Sequence, residues 1–351
     1  MSTSFRTTAL AAAFVCLPLS AMAQSTVNLY GRVNTTVESQ KFGTGVRQTV
    51  VSNNSSRFGF TGTEDLGGGL KATFRLESGF ASDTGATTGG ALFGREAVVG
   101  LSGGFGTVRL GQQAYLPAYL ATADYVSMHN HDTGSSSDAL FGGFQLPARQ
   151  SNSISYTTPS FSGLTVEVAQ SLNEKANFVV TTGPTARLAN QTDVALNYDA
   201  GPLHLGAGYQ KLGDNKLYAM RALYEFGAIT LGGYYERDDF KSIVATSTTV
   251  TPAITTLTNT NLGSRNNFRV AAMYAMGASE FHANVGLAGK FSNRANSKAQ
   301  QYTLGYNYNL SKRTKVYGYV TRVNDNSGSL ANQPIYGGDF SATAVGIRHN
   351  F

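Results

Sequence analysis

From residue 27 onward, apolar and polar side chains alternate one for one in segments of about ten residues. In 302–310 the apolar set is Tyr302, Leu304, Tyr306, Tyr308 and Leu310, with Thr303, Gly305, Asn307 and Asn309 between. In 203–210 Leu203, Leu205, Ala207 and Tyr209 alternate with His204, Gly206, Gly208 and Gln210. The windows 70–77 and 267–276 repeat the pattern. A period of two places successive side chains on opposite faces of a strand, so each strand has one apolar and one polar face. No helical period of 3.6 is sustained in these windows.

The breaks between segments are of two kinds. Short ones fall at 64–69, 103–106, 159–163, 199–202, 227–228, 277–279 and 311–313. Longer polar stretches lie between them, at 39–54, 81–90, 112–148, 173–190, 211–216, 237–265, 290–299 and 324–339. Seven short and eight long connections join sixteen strands. Tight turns on one side and long loops on the other are the signature of a transmembrane β-barrel. Each strand plus connection has roughly 20 residues, enough for the ~9–11 residues that span a bilayer. The predicted fold is therefore all-β: a 16-stranded antiparallel transmembrane barrel with short periplasmic turns and long extracellular loops.

Composition agrees with a barrel and opposes a soluble sandwich. Only 14% of residues are charged, against roughly 25% in soluble domains. Mean hydropathy is nonetheless an unremarkable −0.15, because half of each strand faces lipid and half faces water. The 40 Gly follow no collagen period, and 18 Tyr with 20 Phe give too much apolar area for disorder. Aromatics near strand ends (Tyr30, Phe60, Phe80, Tyr156, Tyr198, Tyr235 and Phe351) are expected to form girdles at the two lipid interfaces.

Residues 1–23 read as a cleaved export signal. Arg6 supplies the positive start, 9–19 the apolar stretch, and Ala21-Met22-Ala23 the small-x-small cleavage site. The barrel domain is then 24–351, and Cys16 leaves with the signal, so no thiol chemistry follows. Loss of Arg6 lowers the net charge from +6 to +5. Export, with no later run of 18 apolar residues, points to the outer membrane of a Gram-negative cell.

No enzyme or cofactor motif is found: no G-x-S-x-G, Walker A or H-E-x-x-H. Gly104-Phe105-Gly106 reads as a turn, and His129-x-His131 as a solvated pair rather than half a metal site. No run of four Lys or Arg suggests nucleic acid. No catalytic residue, metal or cofactor is expected.

Parity orients the charged residues. Val27, Leu29, Val33 and Val37 face lipid, so Asn28, Arg32, Asn34 and Glu38 face inward. Phe58 and Phe60 turn Arg57 inward, and Lys71 and Arg75 follow in the next strand. Ile154 and Tyr156 turn Arg149 and Ser153 inward, and Arg109, Arg221, Arg269 and Arg348 alternate likewise. Arg95 has the parity of Ala97, Val99 and Leu101, so alternation alone does not place it inside. A lipid-facing charge at mid-depth costs roughly 2–4 kcal/mol, which an inward arginine avoids. Inward guanidiniums raise the local anion concentration in a narrow channel. The competing reading is that each only pairs with an inward acid such as Glu38, Glu77 or Glu167. Loop 112–148 exceeds ordinary loop length and carries Asp124, Asp132 and Asp138. Folded inward, it would narrow the bore and set acids against the arginines.

Several stretches together resemble the trimeric general porins of Gram-negative outer membranes, especially the betaproteobacterial branch. They are Val27-Asn28-Leu29-Tyr30-Gly31, Ser56-Arg57-Phe58-Gly59-Phe60-Thr61-Gly62-Thr63-Glu64-Asp65-Leu66-Gly67, Leu92-Phe93-Gly94-Arg95-Glu96-Ala97-Val98-Val99-Gly100-Leu101, Gly106-Thr107-Val108-Arg109-Leu110-Gly111, Asn152-Ser153-Ile154-Ser155-Tyr156 and the ending Val345-Gly346-Ile347-Arg348-His349-Asn350-Phe351. The resemblance covers 24–351. It implies a homotrimer in lipid and lipopolysaccharide, with the third loop (112–148) folded into each lumen as the constriction. It also implies a basic ladder at Arg57, Arg95 and Arg149 with Arg32 beside it, and Phe351 as the assembly signal. One departure is that Leu140 precedes Phe141-Gly142-Gly143, where porins often carry Glu. The implied function is passive diffusion of small hydrophilic solutes and ions, with a preference for anions. The rivals are a substrate-specific sugar channel, which the absence of Trp counts against, and a barrel enzyme with a scattered Ser-His pair.

Overall fold

The computed structural model describes residues 26–88, 90–114, 117–122, 149–172, 178–181, 186–188, 190–241, 243–247, 254–258, 261–325 and 339–351. Within them sixteen antiparallel strands close into one barrel. These are β1 (Thr26–Phe42), β2 (Gln48–Asn53 continuing as Arg57–Gly67), β3 (Leu70–Phe80), β4 (Glu96–Gly103), β5 (Gly106–Gln113), β6 (Gln150–Thr157), β7 (Leu164–Ser171) and β8 (Gln191–Ala200). The second half comprises β9 (Leu203–Leu212), β10 (Asn215–Phe226), β11 (Ile229–Phe240), β12 (Gly263–Met276), β13 (Ser279–Ala288), β14 (Ala299–Asn309), β15 (Thr314–Asp325) and β16 (Phe340–Asn350). Each strand pairs with its sequence neighbours, and β1 closes the ring on β16 from Arg32↔Asn350 to Phe42↔Phe340. Closure leaves no open edge, a requirement for backbone in hydrocarbon.

Alternation becomes two surfaces. On β1, Val27, Leu29, Val33 and Val37 are exposed on the outside, while Asn34, Thr36 and Glu38 are buried inside. On β10 the outward residues Tyr218 to Phe226 span about 26 Å at ~3.3 Å per residue, which matches a ~25 Å apolar band. Ring pairs bound this band. Tyr224–Phe226 (5.1 Å) and Phe281–Tyr306 (5.2 Å) lie near the short turns, and Tyr209–Tyr218 and Tyr235–Phe268 (both 5.1 Å) lie toward the other end.

Tyr30 does not belong to a girdle. It shares the parity of Arg32, and its phenol donates to Glu77 Oε2 (3.1 Å) on the inner wall. Two of the expected loops also shorten. Within 39–54, β1 runs to Phe42 and β2 begins at Gln48. The stretch 211–216 is a hairpin in which Leu212 faces Asn215. Its turn places Gly213 at φ +58°, where L side chains are disfavoured. Polarity marked both as loops, although the strands extend past the membrane into water. Outside the barrel, Phe178–Thr181, Ala186–Leu188, Ile243–Ser247 and Ile254–Thr258 from the fourth and sixth loops form a separate four-stranded sheet.

Candidate functional site: the basic inner wall and the third loop

A break in β2 starts the site. At 54–56 the ladder is interrupted and Ser55 takes φ +57°. Asn34 supplies the missing partners: its N–H donates to Ser56 Oγ (3.0 Å), and its carbonyl accepts from Asn54 N–H (2.8 Å). Polar Asn and Ser side chains suit such an irregularity because they satisfy backbone groups locally. The strand restarts at Arg57, directly opposite Arg32.

Two like-charged pairs thus face one another across the ladder: Arg32 with Arg57, and Glu77 with Glu96. Directly opposed like charges are unfavourable. Diagonal pairing removes the strain. Glu77 takes Arg95 (Nε–Oε1, 2.5 Å) and Arg57 (Nε–Oε2, 3.7 Å), while Glu96 takes Arg75 (Nε–Oε2, 3.3 Å). Arg75 also donates to the Tyr30 phenol oxygen (2.8 Å), with its guanidinium 4.9 Å from the ring centre. Gly59 and Gly79 make room: a Cβ on Gly59 would lie 2.7 Å from the Tyr30 ring, and one on Gly79 3.0 Å from Arg95 Cδ. Among the described residues, the patch holds four guanidiniums (Arg32, Arg57, Arg75, Arg95) against two carboxylates, an excess of two positive charges.

Arg95 lies inside despite its parity. It precedes β4, so no ladder dictates its direction, and its N–H donates to the Glu77 carbonyl (3.2 Å) while the side chain turns to the same residue. Arg149 precedes β6, further along the same wall. There Ser151 Oγ donates to Gln112 Oε1 (2.5 Å), and Gln112 donates to the Gly94 carbonyl (3.3 Å), tying the start of β6 to the segment carrying Arg95. Arg32 donates to Asn350 Oδ1 (3.2 Å). Arg109 pairs with Glu167, and Lys71, opposite Asp65, is exposed beside a short turn. Asp124, Asp132, Asp138 and the pair His129 and His131 lie outside the described residues. Glu77, Glu96 and Glu167 each pair with an inward arginine. Glu38 accepts from Thr36 Oγ1 (2.6 Å) and Gln40 (2.5 Å).

The described part of the third loop is a helical turn, α1 (Pro117–Thr122), lying against the inner face of β8 and β9. The wall there is cut to receive it. A Cβ on Gly206 would sit 1.8 Å from the Ala121 carbonyl oxygen, and one on Gly208 2.9 Å from Ala118. Asp193 Oδ1 accepts the Ala118 N–H (2.8 Å), while its Oδ2 accepts from Gln210 (2.9 Å) and Gln191 (3.2 Å). α1 thus lies on the inside of the barrel wall.

The Gram-negative porin family profile matches residues 7–329. The chain belongs to the Gram-negative porin family. It is 32% identical to outer membrane porin protein 32 of Delftia acidovorans over 95% of this chain and 96% of that one. It is 26% identical to the major outer membrane protein P.IB of Neisseria meningitidis serogroup B, over 97% and 98%. Among solved structures it is similar to the anion-selective porin from Comamonas acidovorans, with a TM-score of 0.71 and 29% identity over 93% of this chain and all of that one. The chain is thus an outer-membrane porin, a barrel whose polar interior offers solutes a water-filled path across the bilayer.

At the end of this porin chain, Phe351 closes the ring. Its carbonyl accepts the Gly31 N–H (2.9 Å), its own N–H donates to the Gly31 carbonyl (3.0 Å), and its ring occupies the space a Gly31 Cβ would need. Sequence reasoning missed Tyr30, Glu96 and Asp193 as site residues. Tyr30 was within reach, since its even number matches Arg32. Asp193 carried no local signal, because its partner lies 75 residues away.

Proposed function

We propose that this porin is a passive, anion-preferring diffusion channel for small hydrophilic solutes, assembled as a homotrimer and acting without covalent chemistry. The observation that carries the reading is the excess of guanidinium over carboxylate around Glu77. Arginine stays charged at every working pH. A low-dielectric wall focuses its field into the narrow water path, so anions accumulate and cations are depleted. Arg32, Arg57, Arg95 and Arg149 form the basic side of the constriction, with Arg75, Lys71 and Arg109 extending it toward the short turns. The third loop, held on the far wall by Asp193, supplies the opposite side through Asp124, Asp132 and Asp138 and sets the size limit. Residues 1–23 direct export and are removed, and Phe351 is the assembly signal. The similar porin from Comamonas acidovorans is named anion-selective, which supports the sign of the preference.

Reversal potential across a planar bilayer in a KCl gradient tests this reading. Chloride preference that weakens as salt shortens the Debye length is expected. A cation-selective wild-type channel overturns it.

A further inference from the structure

Two glutamines join parts of the inner wall that lie far apart in the chain. Gln150 and Gln191 open β6 and β8, and both are buried, at 3% and 1% exposure. β7 runs between those strands and ends at Ser171, which is in register with Ser153 on one side and Gln191 on the other. Over that small residue the two glutamine side chains meet, and Gln150 Nε2 donates to Gln191 Oε1. Two strand spacings make about 10 Å, a gap that needs a long amide from each side. Simple alternation would aim Gln150 at lipid, with Ile154 and Tyr156. A bulge turns it inward: Gln112 on β5 stands opposite both Ser151 and Asn152, between the pairs Gly111↔Ser153 and Gln113↔Gln150, and Asn152 takes φ +55°. Bulges re-aim side chains in this way.

The bonds run in one direction. Gln150 donates to Gln191, Gln191 Nε2 donates to Asp193 Oδ2 (3.2 Å), and Asp193 Oδ1 accepts the Ala118 N–H of α1 (2.8 Å). A row of donors ending on a buried carboxylate is polarised along its length, so each bond strengthens the next. The other end is tied to the basic wall. Ser151, next to Gln150, donates to Gln112 Oε1 (2.5 Å), and Gln112 donates to the Gly94 carbonyl (3.3 Å), one residue before Arg95. Gln113 offers a contrast. It is in register with Gln150 and 1% exposed, yet neither end of its amide has a hydrogen-bond partner among the described residues.

We propose that Gln150 and Gln191 are positioning residues of the constriction. Their amide bridge fixes α1 relative to the wall that carries Arg95 and Arg149, so that bore and charge preference are set together. For charge preference this rests on the anion-preferring reading of the channel.

The test is single-channel conductance and KCl reversal potential of the folded, reconstituted protein carrying Gln150→Met, Gln191→Met or both. Losing one hydrogen bond shifts an equilibrium roughly two- to tenfold. Each single variant should change conductance and lower the chloride-to-potassium ratio by about twofold or more, and the double variant should match Gln191→Met alone, because both substitutions break one chain. Gln150→Asn keeps the amide but is one methylene short, so it should behave like Gln150→Met, and it keeps the test open if a buried Met impairs assembly. Gln113→Met should leave both readouts at wild-type values. Wild-type conductance and ratio in the Gln150 and Gln191 variants overturn the proposal, even if their urea midpoints shift, since the pair would then only hold strands together. So do effects that multiply in the double variant, or an equal effect of Gln113→Met, which would make packing the cause. If wild type proves cation-selective while these variants still alter conductance, the bridge stands and the anion reading fails.

Discussion

Two stretches of the inner wall carry the same kinds of residue and differ in what covers them. On β1–β4, Arg57 and Arg75 keep 19% and 49% of their side chains accessible, although each touches a glutamate. On β11 and β12, Arg265 pairs with Asp238 at 2.8 Å with both side chains at 2% or less. There Asn267 donates to Glu236 (2.9 Å) and Asp238 (3.0 Å), and the Phe291 ring lies 4.4 Å from the Arg265 guanidinium. Phe291, Phe240 and Leu262 form an apolar cap from the sixth and seventh loops over that wall. An inward charge acts on passing solutes only where water reaches it. A covered, balanced pair holds strands together and adds little field to the pore.

The largest separation between the walls is expected from Asp238→Ala. It leaves Arg265 buried with its carboxylate partner removed, and breaking such a pair costs roughly 3–5 kcal/mol. Unfolding in urea should shift accordingly, while reversal potential stays unchanged. A large change in selectivity would place Asp238 in the pore field and erase the contrast.

Next is Gly206→Val, which sharpens the role of the third loop. The added side chain meets backbone, and overpacking of this kind costs roughly 1–3 kcal/mol. Displacement of α1 should alter single-channel conductance more than charge preference. Unaltered conductance would mean that α1 does not fix the bore.

Arg75→Ala is the mirror image of Asp238→Ala. Arg75 is half-exposed although Glu96 is buried, so water screens the pair and its contribution is about 1 kcal/mol; unfolding should move far less than in Asp238→Ala. A charge about 4 Å from a passing ion is worth about 1 kcal/mol in water, so chloride permeability should fall by up to roughly fivefold, and the chloride-to-potassium ratio should fall with it. If Arg57→Ala, Arg75→Ala and Arg95→Ala all leave that ratio intact, the basic wall is only structural. The smallest selectivity change is assigned to Tyr30→Phe, which removes two hydrogen bonds, one to Glu77 and one from Arg75, each worth about 0.5–1.5 kcal/mol. It should loosen the Arg75–Glu77 link and shift selectivity slightly, as measured in the same bilayers.

Much of the fold was legible because a lipid-facing barrel must alternate. Strand number and the short turns follow from a period of two, and the structure keeps them; the same period turns Arg32, Arg57, Arg75 and Arg109 inward. The failures have local causes. Residues 211–216 looked like a loop because Lys211 and Lys216 are polar, yet they continue the ladder in register above the membrane. Tyr30 was assigned to a girdle by residue type although its parity pointed inward. Arg95 defied parity because it stands outside the ladder.

By itself, then, the sequence determined a closed barrel with an apolar outside, a polar inside and an excess of basic side chains on its inner wall. Pattern is sufficient there, because the side-chain period of a strand is fixed by backbone geometry. Only the tertiary structure decided which inward charges stay open to water, which acids meet Arg57, Arg75 and Arg95, and where α1 rests. Those outcomes depend on contacts such as Asp193 with Ala118 and Arg265 with Phe291, between residues far apart in the chain. No local period encodes them.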